Sequence, residues 1–364
     1  MTASFQPQTV MVTGGAGFIG ANLVRWLLEN VSDVHVVNYD LLTYAGNRES
    51  LTDVEARFGG MGDSRYFFVH GDIRDTAAVA AVLAGHARDS IDNRPVSRPD
   101  AVLHLAAETH VDRSIAGPAA FVSTNVQGTL ALLEAVKHEL DAHPREFRLI
   151  NVSTDEVYGS LGNSEASFTE HHPLRPNNPY SASKAGADCL VRAYVETFGL
   201  PCITTRCSNN YGPYQFPEKL VPSMITRALA NESLPLYGDG AHVRDWLHVL
   251  DHAHALWRVC TEGRVEDEVY NIGGNAERTN IDVVREILRV LGKSDSLIEF
   301  VPERRGHDRR YATNAGRIQE RLGWAPAYSF ERGLRETIDW YVANERWWTP
   351  LQRKVKRGSN PSLH

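Results

Sequence analysis

TVMVTGGAGFIGANLVRWLLEN, residues 9–30, decides the fold. Thr9–Thr13 is a short run of apolar and β-forming residues, and Gly14, Gly15, Ala16, Gly17, Phe18, Ile19 and Gly20 lead from it into an amphipathic stretch ending at Leu28. A strand that turns through glycines into a helix gathers backbone N–H groups at the helix N-terminus, where they and the helix dipole hold a pyrophosphate. The glycines at 14, 17 and 20 permit the tight turn and the close approach of the phosphates, although small residues also serve such turns for packing alone. A second strand, Val34–Tyr39, ends at Asp40, about 20 residues past the last glycine, where a carboxylate accepts from both hydroxyls of an adenosine ribose. The same carboxylate repels a 2′-phosphate, so the motif predicts NAD rather than NADP.

Outward from this unit the rhythm repeats. Tyr66–His70, Ala101–Ala106 and Phe147–Ser153 read as further strands, and Ala77–Ala84, Ala119–His138 and Tyr180–Thr197 as helices between and after them. Strands alternating with helices predict an α/β fold, a doubly wound (Rossmann) parallel sheet. Beyond Cys207 the texture changes to SNNYGPYQFPEKLVP, with later helices around Ser223–Ala230, Val283–Leu291 and Ser329–Asn344, which predicts a smaller C-terminal lobe. Residues 243–249 and 268–273 read as strands able to rejoin the first sheet. The expected division is therefore residues 1–207 with about 240–275 for the dinucleotide, about 208–239 with 276–350 for a second ligand, and a basic solvated tail at 351–364.

The 364 residues exceed the ~250–300 at which one core stops growing, in keeping with two lobes. With 42% hydrophobic and 23% charged residues the composition is that of an ordinary globular protein. The 38 basic and 45 acidic residues leave a net charge of −7, which disfavours a nucleic-acid partner. Cys189, Cys202, Cys207 and Cys260 show no CxxC spacing, and no apolar run approaches the ~18 residues of a membrane helix. The expectation is a cytoplasmic protein with reduced cysteines and no membrane partner.

Tyr180 and Lys184 lie one turn apart on the last of the predicted helices of the sheet. An ammonium beside a phenol favours phenolate, which takes a proton from an alcohol as hydride leaves; a helical Tyr and Lys also meet by chance. Thr154, Asp155 and Glu156 close the fifth strand at its carboxyl end, where open α/β sheets bind ligands. Two carboxyls there can divide the roles of acid and base, or simply form a solvated turn. His248, His252 and His254 have no acidic or cysteine partner at ligand spacing, so no metal is expected. Trp347 and Trp348 read as side chains buried against the preceding helix rather than as a stacking surface for nucleic acid.

Taken together, TGGAGFIG at 13–20, LTYAGN at 42–47, GDI at 71–73, HLAAETHVDRSI at 104–115, STDEVYG at 153–159, PYSASKAGAD at 179–188, RCSNNYGPYQFPEKL at 206–220 and GHDRRYA at 306–312 resemble the extended short-chain dehydrogenase/reductases. Within that superfamily they resemble the nucleotide-sugar 4,6-dehydratases, over about residues 8–345. The resemblance implies a tightly held NAD, a sugar nucleotide such as dTDP-glucose as substrate, and a homodimer, plausibly formed through helices 119–138 and 180–197. It implies that Tyr180, its pKa lowered by Lys184 and the nicotinamide, deprotonates the 4-hydroxyl held by Thr154, that Glu156 removes the proton on carbon 5, and that Asp155 protonates the departing 6-hydroxyl.

By the same resemblance Phe18, Ile19, Asp40, Leu41, Leu42, Thr43, Asp72, Ile73, Leu105, Ala106, Ala107, Thr124, Tyr180, Lys184 and Asn210 would meet NAD. Thr109, Thr154, Asn209, Lys219, Leu220, Pro235, Leu236, Tyr237, Arg244, Asn280, Arg304 and His307 would meet the sugar nucleotide, with Arg244 and Arg304 clamping its diphosphate. The chain departs from the pattern at Thr109, where serine is usual, at Glu303 and Arg305 in ERRGHD, where DRPGHD is usual, and in the residues just before Asp40. Related epimerases and decarboxylases share the glycines and the Tyr/Lys pair but usually lack the adjacent acids. A non-catalytic NAD-binding sensor would have lost one of Tyr180, Lys184, Asp155 or Glu156, and all four are present.

Overall fold

A computed structural model describes residues 5–358. In the first 207 residues strands alternate with helices: β1 (Thr9–Thr13), β2 (His35–Asp40), β3 (Tyr66–His70), β4 (Ala101–His104), β5 (Arg148–Thr154) and β6 (Cys202–Cys207). Then come β7 (Asn209–Tyr211), β8 (Leu234–Tyr237), β9 (Val243–His248), β10 (Val269–Ile272), β11 (Glu277–Thr279) and β12 (Ile298–Val301). Seven form one sheet in the order β10-β6-β5-β4-β1-β2-β3, with every neighbouring pair parallel. All five residues of β1 are buried, as a sheet covered on both faces requires. Val10, Val12, Val36, Leu103 and Ile150 point into one apolar cluster; Met11, Val37, Val102, Leu149 and Cys202 point into the other. That alternation is the two-residue period of a strand.

The order reverses between β1 and β4, and this opens the ligand crevice at the carboxyl ends of the strands. Gly14 makes the entry turn with φ +72°, and a Cβ there would sit 2.7 Å from the Ala106 nitrogen, so the turn and the β4 exit touch backbone to backbone. The smaller lobe has its own core, in which Met224, Ile225, Leu236, Val283, Ile287, Leu334 and Tyr341 pack together. Among the described residues no helix is long and apolar enough to cross a membrane.

Three sequence expectations change. The helix expected over 119–138 is broken: Pro118–Phe121 is α-helical, Val122–Gln127 is a π turn, and Gly128–Ala142 resumes the α-helix. The wider turn allows Thr124 to face the crevice while the buried Asn125 side chain locks the loop after β4, as described below. Of the two late strands, β10 takes the free edge of β6 with Tyr270 and Ile272 fully buried, but β9 pairs with β7 and β11 instead. β9 carries Arg244 and Asp245, and the Asp245 carboxylate accepts from the Ala276 and Gly274 nitrogens beside β11, bonds an interior strand of the main sheet would forgo. Finally, the tail expected from 351 continues a helix, Glu345–Gly358, with Trp348 and Leu351 buried; its last six residues, 359–364, lie outside the described residues. Trp348 donates to the Tyr341 carbonyl and Trp347 to Ser50 Oγ, so both rings are seated in the protein.

Candidate active site

A single continuous cavity of about 310 Å³ runs along the crevice. Gly14, Gly17, Phe18, Ile19 and Gly20 line one end, followed by Asp40, Leu41, Thr43, Asp72, Ile73, Leu105, Ala106, Ala107 and Thr124. Thr154, Glu156, Tyr180, Lys184, Asn209, Asn210, Thr109 and Lys219 line the other. Asp40 is organised before any ligand: Oδ2 accepts from the Ala16 nitrogen at 2.9 Å and Oδ1 from the Leu42 nitrogen at 2.7 Å. Burial raises its pKa while those two bonds oppose the rise. Leu42 takes part through this backbone bond, since its side chain packs on the main core. Asp72 is tied to Arg74, which holds its carboxyl below the usual range. Asn209 Oδ1 and Gln215 Oε1 are buried without a partner in the cavity wall, acceptors awaiting a donor. Glycines at the helix start, a preset ribose acceptor and these orphaned oxygens fit a dinucleotide.

The reactive end is assembled by two elements. β5 delivers Thr154, whose Oγ1 caps the short turn Asp155–Tyr158 by accepting from the Glu156 nitrogen. Helix Pro179–Phe198 begins at Asn178, whose Oδ1 accepts from the Ser181 nitrogen at 2.9 Å, and it carries Tyr180, Ser181 and Lys184. Ser181 Oγ donates to Glu156 Oε2 at 3.0 Å, which ties the carboxylate to the helix that holds the tyrosine.

Asp155 is 1% exposed and lies behind the cavity wall, with Oδ1 at 3.4 Å from Thr154 Oγ1. Burial, then the charges of Glu156 and Asp245, push its carboxyl up to about 8, so it is largely protonated at neutral pH. Tyr180 and Lys184 are both buried. Burial and then Glu156 raise the Tyr180 phenol well above the usual value, and Lys184, itself lowered by burial, donates to the Val152 carbonyl at 2.9 Å. Burial disfavours the charged form of both groups.

The remaining predicted ligand residues gather in a second place. Arg244 is buried, lies 4.5 Å over the Tyr311 ring and donates to the Asp308 carbonyl. Arg304 sits over Tyr237, and Tyr237 in turn packs edge-on against His307. Arg244 feels both Glu156 and Arg304, so this cationic cluster adjoins the reactive end although it lies outside the cavity lining. Asn280 is buried at a helix start with Oδ1 unpartnered, Leu220 opens the helix Leu220–Leu229, and Pro235 and Leu236 lie on β8, where Leu236 serves the lobe core.

The histidines at metal-like spacing have other partners: His252 bonds Asn210 and His248 stacks on Tyr328. A different trio, His242, Glu303 and His307, brings three donor groups within 4.8 Å. The two imidazoles of that trio are stacked at 3.8 Å and 15°, which keeps their lone pairs from converging, and neighbouring guanidiniums add positive charge.

Besides Asp245, sequence reasoning missed four contributors. Asn125 accepts from the Glu108 nitrogen and donates towards the Glu108 carbonyl and Ser183 Oγ, fastening the loop after β4 to the catalytic helix. Tyr44 donates to Glu218, joining two loops that border the cavity. Glu108 lines the cavity within the HLAAET motif, so the motif held the signal. Thr313 donates to Asp155 Oδ2 at 3.1 Å, and nothing in its local sequence marks it.

The geometry can be set beside known proteins. Residues 11–337 match the family model described as GDP-mannose 4,6 dehydratase. A dTDP-glucose 4,6-dehydratase of Xanthomonas campestris pv. campestris (strain B100) is 53% identical, covering 93% of this chain and 94% of its own. The solved structure of DesIV, a dTDP-glucose 4,6-dehydratase from Streptomyces venezuelae with NAD bound, is 47% identical with a TM-score of 0.85, covering 94% of this chain and 99% of its own. A UDP-glucose 4-epimerase from Thermus thermophilus shares the architecture at a TM-score of 0.79 but only 28% identity, over 92% of this chain and 99% of its own. With about half of its residues identical to dehydratases over 93% of its length, and with paired acids beside Tyr180 and Lys184, this chain belongs to the dTDP-glucose 4,6-dehydratase family.

Proposed function

We propose that this chain is an NAD-dependent enzyme that dehydrates dTDP-glucose to the 4-keto-6-deoxy sugar nucleotide. One observation carries the reading: two adjacent carboxyls at the end of β5, one buried and held up to about 8, the other tied by Ser181 to the helix of Tyr180. Gly14–Gly20, Asp40 and the crevice walls would hold NAD, which when bound serves as a temporary acceptor of two electrons from carbon 4 and returns them to carbon 6.

The residues of the chain move the protons. Tyr180, bonded to Thr154, would take the proton of the 4-hydroxyl as carbon 4 is oxidised, once the positive charge of a bound nicotinamide offsets the burial and the Glu156 charge that raise its phenol. The new ketone acidifies carbon 5, and Glu156, at the cavity wall, removes that proton. Asp155 gives its own proton to the 6-hydroxyl, which leaves as water. Each such acid or base is worth about 10²–10⁴-fold in rate. Arg244 and Arg304 would meet the diphosphate, and the smaller lobe, with Asn280 and His307, would close on the nucleotide. The division of the chain into a dinucleotide lobe and a sugar-nucleotide lobe is part of this proposal.

Two further features belong with it. Val122, Leu130 and Phe198 are exposed apolar side chains on or beside the helices Gly128–Ala142 and Pro179–Phe198, as a homodimer face would require. Four unpaired cysteines, three of them buried, suit the reducing cytoplasm. A 4-epimerase needs the Tyr/Lys pair but has no use for an acid aimed at a departing 6-hydroxyl.

The deciding experiment is turnover of dTDP-glucose in deuterated water, followed by mass spectrometry and NMR. The expected product has lost water and carries one solvent deuterium at carbon 5. Recovery of a C4 epimer, or of unchanged substrate while a GDP-, UDP- or CDP-sugar is consumed, would redirect the assignment.

A further inference from the structure

Thr313 comes from a loop 158 residues beyond Asp155 and ends against it. It is 4% exposed, and its backbone has little freedom: it bridges Phe168, while the Phe168 nitrogen donates to the Ala312 carbonyl and the Asn314 nitrogen to the Phe168 carbonyl. Packing on the other side is close as well, since a Cβ on Gly273 would lie 2.8 Å from both the Thr313 carbonyl and Asp245 Oδ2. The hydroxyl is thus delivered to Asp155 Oδ2 by a fixed support. The second carboxyl oxygen, Oδ1, faces Thr154 Oγ1, and Thr154 lines the cavity.

We infer that Thr313 is a positioning residue for the dehydration: its hydroxyl engages Oδ2 of Asp155, fixes the carboxyl rotamer, and leaves Oδ1, the oxygen on the cavity side, to carry and deliver the proton. The inference rests on the assignment of Asp155 as the acid made above. In the step concerned, Glu156 takes the proton of carbon 5 and the electron pair of that C–H bond forms the C5–C6 double bond. The C6–O bond breaks, and its oxygen leaves as water with the proton from Oδ1. Asp155 is left as a carboxylate, and the Thr313 hydroxyl donates to the charge that has just appeared. Asp245, buried and held by backbone donors, presses the opposite way by like charge. Thr313 therefore keeps an acid that burial would make too reluctant within reach of neutral pH, and no other neighbour acts more strongly in that direction.

The test compares Thr313→Val, which keeps the shape and removes the hydroxyl, with Thr313→Ser, which keeps the hydroxyl. Thr313→Val should lower kcat about 5–20-fold with KM within about twofold, and move the alkaline limb of the kcat profile up by roughly half to one pH unit. Reduced nicotinamide should build up during its turnover, because elimination slows and oxidation does not. Thr313→Ser should restore both rate and profile to within about twofold of the parent.

A parental rate and pH profile for Thr313→Val, or equal impairment of the Val and Ser variants, overturns the inference. Should the Val variant not fold, Thr313→Ala is read by the same criteria. Asp155→Asn, run in parallel, separates the two layers of argument. If it turns over normally, the acid itself is misassigned; if it stalls after oxidation while Thr313→Val behaves as the parent, only the role of Thr313 falls.

Discussion

Two carboxyls stand side by side on one turn of backbone, and burial treats them differently: Asp155 is shut away, whereas Glu156 keeps partial access. The difference has a cost that can be measured. In the unfolded chain an aspartate titrates at about 3.9, and in this fold burial pushes the Asp155 carboxyl up to about 8, so between those values the native state holds a proton that the unfolded state has lost. Its contribution to stability therefore falls as pH rises through that window. Asp155→Asn should melt above the parent at about pH 9 and alongside it near pH 4, as read by calorimetry, while losing elimination activity. A variant no more stable than the parent at the alkaline end would contradict the buried-acid reading. The residues legible in sequence were those whose neighbours in space are neighbours in the chain. Asp40 follows its strand and Lys184 lies one helical turn from Tyr180. Thr313 and Asp245 escaped because each acts on Asp155 from a distant segment, and the single bond that gives Thr313 its meaning depends on a loop seated by Phe168.

The element with the most functional weight is helix Pro179–Phe198. Its cap, Asn178, holds the first turn, and through Ser181 that turn holds Glu156. Asn178→Ala should cost about 1 kcal/mol in denaturant unfolding and should also slow elimination more than oxidation, since the base loses its anchor. An unfolding midpoint unchanged by the substitution would show that the cap is redundant. The periodicity of this helix made it readable, Pro179 marking its first turn and Gly199 its left-handed end at φ +67°. The π turn at Val122–Gln127 was not readable, because its residues suit an α-helix equally well. What widens the turn there is tertiary, the pull of Asn125 towards Glu108 and Ser183. At the other end of the chain the basic residues Arg353 and Lys354 are exposed, whereas Trp348 and Leu351, just before them, are buried on the same helix.

At the scale of the molecule, that last helix joins the lobes. Trp347 donates to Ser50 beside the main sheet, and Trp348 packs in the core of the smaller lobe. Truncation after Asn344 should therefore cost at least the ~3–5 kcal/mol typical of losing one buried tryptophan, seen as a lowered melting temperature; an unshifted melt would mean that the helix is ornamental. The net charge of −7 is met locally rather than globally, with Lys184 at one wall and Arg244 and Arg304 beside it, so a chain with excess acid still offers a cationic seat to anionic ligands. The position of β10 has a consequence for synthesis on the ribosome. β6 is a buried strand whose outer edge is completed only by Val269–Ile272, about 60 residues later, which at about 5–20 residues per second leaves that edge open for roughly 3–12 s. During that interval each nascent chain carries an unpaired β-edge, and crowded polysomes offer it identical edges to pair with. Expression yield should thus depend on translation speed across 208–268 and on chaperones that shield this stretch, even though the finished enzyme shows no such weakness.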